Sequence, residues 1–456
     1  MASLATSTLF MSDTALVIGG GIAGLTAALG LSSRGFRVTI IEQDLKPGGR
    51  LAVAPPSLLL GCHTATWSLL EQLDMAAALR RGKHTPIDFL QASGSRVQYP
   101  VFPLPSPLNT LVGTTLFQGL SMRDRWHLLT FLERTWERDP PMPQDLELRT
   151  ASDWLTSIDQ SEAARTSVWN LLSRLLVGNG IHEVSAALFM RTLRRSFFTG
   201  TRSSRFMIPE PQFPEHFLDA MHTRMKHLDV TIRLNTQAIG IQIRHERMTG
   251  VRLDNGDNLT ADWYLSAVPA SSLRRLLPEQ VVTHYSYFQQ LSKLHDTRLL
   301  IVMLRVAHPD FGSHLTLLSH RSFHWIVSQS DLESPNPSTL VWLVATGETA
   351  LFLASDTEVL TAAKTDMAMA YPTLEHVPML GHRITRMPNA FMWMKPGAQH
   401  YRPLARSPFG NLFVAGDWTD TGWPANLESA VLSGQRCAET IVSQRGNFSA
   451  LQATQK

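Results

Sequence analysis

Gly19, Gly21 and Gly24, within ALVIGGGIAGLTAAL, stand in the spacing G-x-G-x-x-G. An apolar run, Ala15 to Ile18, precedes them, and an Ala/Leu-rich stretch, Ile22 to Ser33, follows. That order reads as strand, turn, helix. The chemistry on offer is pyrophosphate binding: Gly19 tightens the turn, Gly21 admits the ligand to the backbone, and Gly24 lets helix and strand pack closely. The free N–H groups of Ile22 and Ala23 and the positive end of the helix dipole suit phosphate oxygens. A second strand, Phe36 to Ile41, ends at Glu42. A carboxylate there accepts from ribose hydroxyls and repels a 2′-phosphate, which argues against NADP. Without a ligand, the same residues are a tight turn packing a helix on a strand.

A second glycine turn lies near the other end, in LFVAGDWTDTGWPANLESAVLSG. Gly416-Asp417 follows the apolar strand Asn411 to Ala415. An acid at the carboxyl end of a strand suits a sugar-alcohol chain, and FAD has a ribityl chain where NAD has none. Asn426 or Leu427 to Ser443 reads as a helix, its N-terminus stabilising negative charge on a reduced flavin. Gly49 and Arg50, in Lys46-Pro47-Gly48-Gly49-Arg50, add a backbone turn and a cation close to the first motif. The expected cofactor is therefore FAD, bound by a domain that the chain leaves and re-enters. The alternative for Asp417 is a cap that closes a last strand and helix.

These residues need a scaffold, and composition allows a large one. The chain has 456 residues, 44% hydrophobic and 17% charged, with a formal net charge of +3. The low charge predicts apolar surface or an apolar cavity. The net charge makes no case for nucleic acid. Two cysteines, Cys62 and Cys437, exclude a disulfide framework and a cysteine-built metal site, and fit a reducing cytosol. No metal site is expected. The first dozen residues lack the pattern of a signal peptide, and no stretch reaches the ~20 apolar residues of a membrane span.

The expected fold is α/β: a Rossmann-like FAD-binding domain with a parallel βαβ sheet and an inserted α+β substrate domain. The first would take 11–100, 212–275 and 400–445, the second 101–211 and 276–399, with 1–10 and 446–456 as flexible termini. Helical spacing marks Met122 to Glu137, Ala151 to Ile158, Ala163 to Val177 and Pro214 to Leu228. LLIVMLRV and TLVWLVAT read as buried strands.

A flavin site needs no protein nucleophile, so the protein groups left to join its chemistry are acids and bases that move protons. Asp420, in the late loop, and His63 are the catalytic candidates. Their structural alternatives are a turn-forming acid and a packed histidine. Trp418 and Trp423 either wall the cofactor or fill core. Arg191, Arg194, Arg195, Arg202 and Arg205, near Phe197-Phe198, form either a membrane-surface patch or a solvated face.

Taken together, these motifs resemble the flavin-containing amine oxidase and phytoene desaturase superfamily. SAVPASSLRRLL, Ser266 to Leu277, matches its middle Val-Pro element, and Ala238 lies where backbone contacts to adenine are expected. The late motif, LLLGCHTATWSLLEQLD, EVSAALFMRTLRRSFF and NAFMWMKPGAQHYRP resemble the squalene-associated branch, the hydroxysqualene dehydroxylases. The resemblance implies an amine oxidase/phytoene desaturase type of fold and FAD-dependent reductive dehydroxylation of hydroxysqualene to squalene. It further implies an apolar isoprenoid substrate; the electron donor is unspecified. With the cysteine usage and the membrane-patch reading of the arginines, the expected location is cytoplasmic, peripheral on the inner face of the membrane. The sequence departs from that branch after Arg50, where Leu51 to Ser57 run directly into Leu58 and a polar segment is absent. Desaturation of phytoene or squalene, amine oxidation, and lipid carriage without catalysis are the alternatives.

Overall fold

The structure, a computed structural model, describes residues 13–454 except 54–57, 82–84, 103, 105–107, 135–143, 200–201, 310 and 335. Its first sheet is five-stranded and parallel. In spatial order the strands are Leu412–Val414, Trp263–Ser266, β1 (Thr14–Ile18), β2 (Arg37–Ile41) and Thr231–Arg233. β1 lies in the middle, and Ala15 to Ile18 are buried, which is why it carries an unbroken apolar run. The strands come from the start, middle and end of the chain, as expected of a domain left and re-entered.

α1 (Ile22–Ser32) is buried along nearly its whole length. It lies against α3 (Leu427–Thr454), and small residues make that approach possible. A side chain on Gly434 would stand 2.4 Å from the Ala23 carbonyl oxygen, and one on Gly30 3.0 Å from Ala438 Cβ. α3 is longer than the sequence suggests, since Ser443 does not end it. The expected flexible segment 1–10 lies outside the described residues, while 446–454 continues α3.

The second sheet has seven strands. In order these are β4 (Met379–Met392), β3 (Asp296–Val306), Ser338–Thr346, Trp325–Asp331, His314–Leu318, Ile87–Leu90 and Arg96–Gln98. Every pairing is antiparallel except that of His314–Leu318 with Ile87–Leu90. This corrects the expected boundary at 100. Residues 87–98 belong to the second domain, because Phe89 and Leu90 register with Leu317 and Leu318 in its sheet.

Period-two alternation divides the core of that domain. Leu299 and Ile301 of β3 pack with Leu171, Leu188 and Phe189 of the helical layer. Leu300, Val302 and Leu304 pack on the other face with Val359, Ala363 and Met367 of the helix Asp356–Ala370. Two π-helical turns, Arg165–Trp169 and Arg194–Phe198, interrupt the helical layer. Such turns concentrate at functional sites.

Candidate cofactor and substrate site

The turn after β1 is held from both sides. Gly19 N–H donates to the Ile41 carbonyl at 2.8 Å, and Gly19 adopts φ +103°. A Cβ on Gly24 would stand 2.1 Å from the Gly19 carbonyl oxygen. A Cβ on Gly21, by contrast, would meet nothing within 4 Å, and its backbone is extended at φ −69°. Gly24 thus serves packing, while Gly21 borders open space. The first intrahelical bond runs from Leu25 N–H to the Gly21 carbonyl, leaving the N–H groups of Ile22 and Ala23 without helical acceptors.

Glu42, at the end of β2, is buried, and its carboxylate accepts from Gly20 N–H at 2.6 Å and Asp44 N–H at 3.0 Å. Its backbone carbonyl accepts from Thr236 N–H at 2.8 Å. That bond draws the segment entering Ala238 to the same strand end. Gly48 N–H donates to the Gly20 carbonyl at 2.8 Å, and the Cβ position of Gly49 lies 3.4 Å from Gly21 Cα. The G-G-R turn is therefore layered on the first motif. A glycine cradle, an acid at the β2 end and a cation at the rim fit an FAD diphosphate and ribose.

Arg50 reaches from that turn to the late motif. It pairs with the Asp417 carboxylate and donates to the Ala390 carbonyl of β4. Gly416 N–H donates to Ser433 Oγ at 2.7 Å, and the Trp418 indole N–H to the Val268 carbonyl at 3.1 Å. The Val-Pro element is thereby bound to the late loop. Asn426 Oδ1 caps α3 by accepting from Ser429 N–H at 2.8 Å, leaving Leu427 at the open first turn.

Two organising residues escaped the sequence reading. Arg402 is buried and donates to the carbonyls of Trp423 at 2.7 Å and Asp417 at 2.9 Å, and to Gln399 Oε1 at 3.2 Å. Burial lowers its pKa to about 10, opposed by Asp420 and Asp417, so it stays charged at neutral pH. Glu428, in the first turn of α3, accepts from Ala65 and Thr66 N–H at 2.9 and 2.8 Å and from Thr66 Oγ at 2.8 Å. It thus caps α2 (Thr64–Gln72) from another element. Its only sequence signal was its place in a helix's first turn; Arg402 had none.

The structure redirects both catalytic candidates. Asp420 accepts from Gln399 Nε2 at 2.6 Å, and its own N–H donates to the Pro403 carbonyl. It braces the loop. His63 is buried with its ring edge-on to Trp423, centroids 5.5 Å apart, and burial pushes its imidazole down to about 4. It is neutral near pH 7, as a packed histidine. The five arginines do not share one face: Arg195 turns inward, its guanidinium 4.8 Å from the Trp423 ring centroid and donating to the Gly422 carbonyl at 2.7 Å.

Beside Trp423 the π-turn Arg194–Phe198 links the late loop to an apolar cavity. Its empty space is ≈ 710 Å³, counting the open mouth, and Phe89, Tyr99, Phe117, Trp154, Trp169 and Phe197 line it. On the turn's other side Ser196 Oγ lies 4.0 Å from Cys62 Sγ. Both π-turns contribute to the lining, through Trp169 and Phe197. Among the described residues no cluster of metal-ligating side chains occurs.

His324 shares the state of His63. Burial, with Arg174 nearby, lowers it to about 3, and its Nδ1 accepts from Thr346 N–H at 2.9 Å. Both histidines are depressed below their unfolded pKa of ~6.5. Between pH 6.5 and about 4 the unfolded chain binds more protons than the folded one. Stability must therefore rise with pH across that window and be lost as pH falls. For His63 alone the loss by pH 4 is about 3 kcal/mol. Thermal melts between pH 7 and 4.5 should show a falling Tm; a flat profile would refute the burial of these rings as neutral species.

Comparison with known proteins agrees with this geometry. The flavin containing amine oxidoreductase family matches residues 22–442. A chloroplastic/chromoplastic 15-cis-phytoene desaturase of Glycine max is 23% identical, over 94% of this chain and 79% of the relative. A zeta-carotene desaturase of a Synechocystis species is 21% identical, over 95% of this chain and 98% of the relative. An oxidoreductase structure from Methanosarcina mazei superposes with TM-score 0.71 at 16% identity, over 94% of this chain and all of the other. A glycine cradle closed by Glu42, Arg50 and Asp417, on a matching fold and under a family match over most of its length, identifies the chain as a member of the flavin containing amine oxidoreductase family, an FAD-dependent oxidoreductase of the amine oxidase and carotenoid desaturase superfamily.

Proposed function

We infer that this oxidoreductase acts on a long isoprenoid lipid, and that its reaction is the reductive dehydroxylation of hydroxysqualene to squalene. The observation that carries the lipid reading is the cavity. Its wall is almost wholly aromatic and aliphatic, and a single turn separates it from the late loop. An amine substrate would be protonated in water, and this lining holds no carboxylate to face its charge, only the hydroxyls of Tyr99 and Thr114 beside the Arg194 cation. The resemblance of the late motif to the squalene-associated branch supplies the specific reaction. Desaturation is the second reading, favoured because the relatives are named as phytoene and zeta-carotene desaturases.

Gly21, Ile22, Ala23 and Arg50 would hold the diphosphate, Glu42 the ribose, Asp417 the ribityl chain, and the Leu427 end of α3 the pyrimidine edge. The bound flavin supplies hydride transfer. Trp418, Trp423 and the buried Arg402 keep the loop rigid and dry. Leu108, Leu116, Met122 and Trp126 stand exposed on the helices Leu108–Leu116 and Met122–Arg134. Thr114 and Leu128, on the same helices, line the cavity. This exposed apolar strip is a better membrane contact than the arginine cluster, and a lipid would enter beneath it. Among the described residues no helix is long and apolar enough to cross a membrane.

The purified protein should be yellow and should release FAD on denaturation. In detergent, its anaerobically reduced flavin should be reoxidised by hydroxysqualene with squalene as product. Reoxidation by no alcohol, with oxidised flavin reduced by phytoene, would establish the desaturase instead. Reduction by a primary amine would favour the amine oxidase. FAD-free protein carrying bound squalene would establish the carrier.

A further inference from the structure

We propose that Asp296 is the acid–base residue of the cofactor cleft, the group that carries the proton accompanying the redox step. This rests on the flavin-dependent reading above.

Asp296 opens β3, and its register partner on β4 is Met392. Two residues before Met392 on β4, the Ala390 carbonyl accepts from Arg50, whose other nitrogen pairs with Asp417. Three pieces of chain meet there: the G-G-R turn, the late loop and the edge of the second sheet. The β3–β4 register shifts between Thr297 and Leu299, one residue beyond Asp296. Bulges of this kind re-aim side chains beside active sites.

The other acids around the cleft are occupied. Asp417 is paired with Arg50, Asp420 accepts from Gln399, and Glu428 accepts from three donors on α2. His63 is buried and neutral. Among the described residues nothing hydrogen-bonds or ion-pairs with the Asp296 carboxylate. Its residue is solvent-exposed, yet desolvation is the largest influence on its pKa and raises it. The register with Met392, two residues from the Ala390 carbonyl that Arg50 binds, sets Asp296 beside the junction of the G-G-R turn and the late loop. The charges facing it are Arg50, which lowers the pKa, Asp417, which raises it, and the neighbouring His295, which lowers it. The sequence carried no sign of this role, since Asp296 is one acid at a strand start.

In dehydroxylation, the protonated Asp296 carboxyl gives its proton to the substrate hydroxyl. The C–O bond would then break with its electron pair leaving on oxygen as water, and a bound reduced flavin would supply the hydride for the new C–H bond. The sum is R–OH + H⁺ + H⁻ → R–H + H₂O. In desaturation, the Asp296 carboxylate would take a proton from one carbon, a bound oxidised flavin would supply the hydride acceptor for its neighbour, and the freed C–H pair would become the double bond.

The test uses the full chain loaded with FAD and two variants, Asp296→Asn and Asp296→Glu. Asp296→Asn should keep wild-type FAD retention and Tm, because Asp296 bonds nothing in the fold. It should slow substrate-dependent flavin oxidation or reduction by about 100-fold or more, the usual worth of a positioned acid or base, and flatten the pH–rate limb that Asp296→Glu restores. Infrared difference spectra of flavin photoreduction, which need no substrate, should contain a carboxyl band that disappears in Asp296→Asn. A rate within about threefold of wild type, a retained pH limb, or no carboxyl band in the wild type would overturn the proposal. Loss of FAD from Asp296→Asn would overturn it too, by making Asp296 a cofactor ligand. If neither hydroxysqualene nor phytoene reacts, the substrate reading fails alone, and the infrared arm still decides on Asp296.

Discussion

Gly21→Val should abolish FAD binding and leave the apo fold intact. The backbone of Gly21 is extended, so any residue can adopt it, and a Cβ there would meet nothing within 4 Å. The new isopropyl group would fill the space through which a diphosphate must approach the N–H groups of Ile22 and Ala23. Steric exclusion combined with lost charge-assisted bonds should weaken binding at least about 100-fold, or about 2.7 kcal/mol. Flavin absorbance after ultrafiltration measures this, and the unfolding free energy of FAD-free protein should stay within about 0.5 kcal/mol of wild type, as for a benign surface change. Gly24→Ala is the contrast. Its Cβ would stand 2.1 Å from the Gly19 carbonyl, so it should destabilise the apo protein itself. Equal behaviour of the two variants would show that the glycine spacing serves packing alone.

Arg402→Ala should cost both stability and cofactor. Its guanidinium holds the carbonyls of Asp417 and Trp423 and the side chain of Gln399, which in turn donates to Asp420. Truncation leaves the carbonyls of Trp423 and Trp418 without donors, at about 1–3 kcal/mol each, while the Asp417 carbonyl keeps only Ser429 Oγ at 3.0 Å. The total, on the order of 3–5 kcal/mol, is large beside the 5–15 kcal/mol that stabilises a whole domain. The loop that presents Asp417 should then lose its shape, and FAD with it. Arg402→Lys should recover only part, because one ammonium cannot span carbonyls that a planar fork reaches together. Asp420→Ala, which loosens only the Gln399 contact, should retain more FAD than Arg402→Ala. An Arg402→Ala protein with full flavin occupancy and wild-type Tm would show that the loop is held by Trp418 and Ser433 instead.

Most of the cofactor half could be read from sequence because its signals are local. β1, its turn, α1 and β2 follow one another in chain order, and their apolar runs, glycines and terminal acid have set spacings. The same holds for Leu412–Val414, Gly416-Asp417 and the start of α3. The domain boundary at 100 was misjudged for the opposite reason. Residues 87–98 look like any short strand pair, and only pairing with His314–Leu318, more than two hundred residues on, assigns them to the second sheet. The arginine cluster misled similarly, since composition shows five cations in one stretch but not that Arg195 turns inward onto Trp423.

The sequence by itself therefore determined the parallel cofactor-binding core, the glycines that cradle the ligand and the acids at two strand ends. Their roles depend on neighbours within a turn or two of the chain. Only the tertiary structure decided which acid is occupied and which is free. Asp417 is paired by Arg50, Glu428 caps a helix it does not belong to, Asp420 braces a loop, and Asp296, in register with Met392, has no hydrogen-bond or ion-pair partner among the described residues. A charged side chain takes its function from its desolvation and its partners. Both are set by packing between segments that lie hundreds of residues apart in the chain.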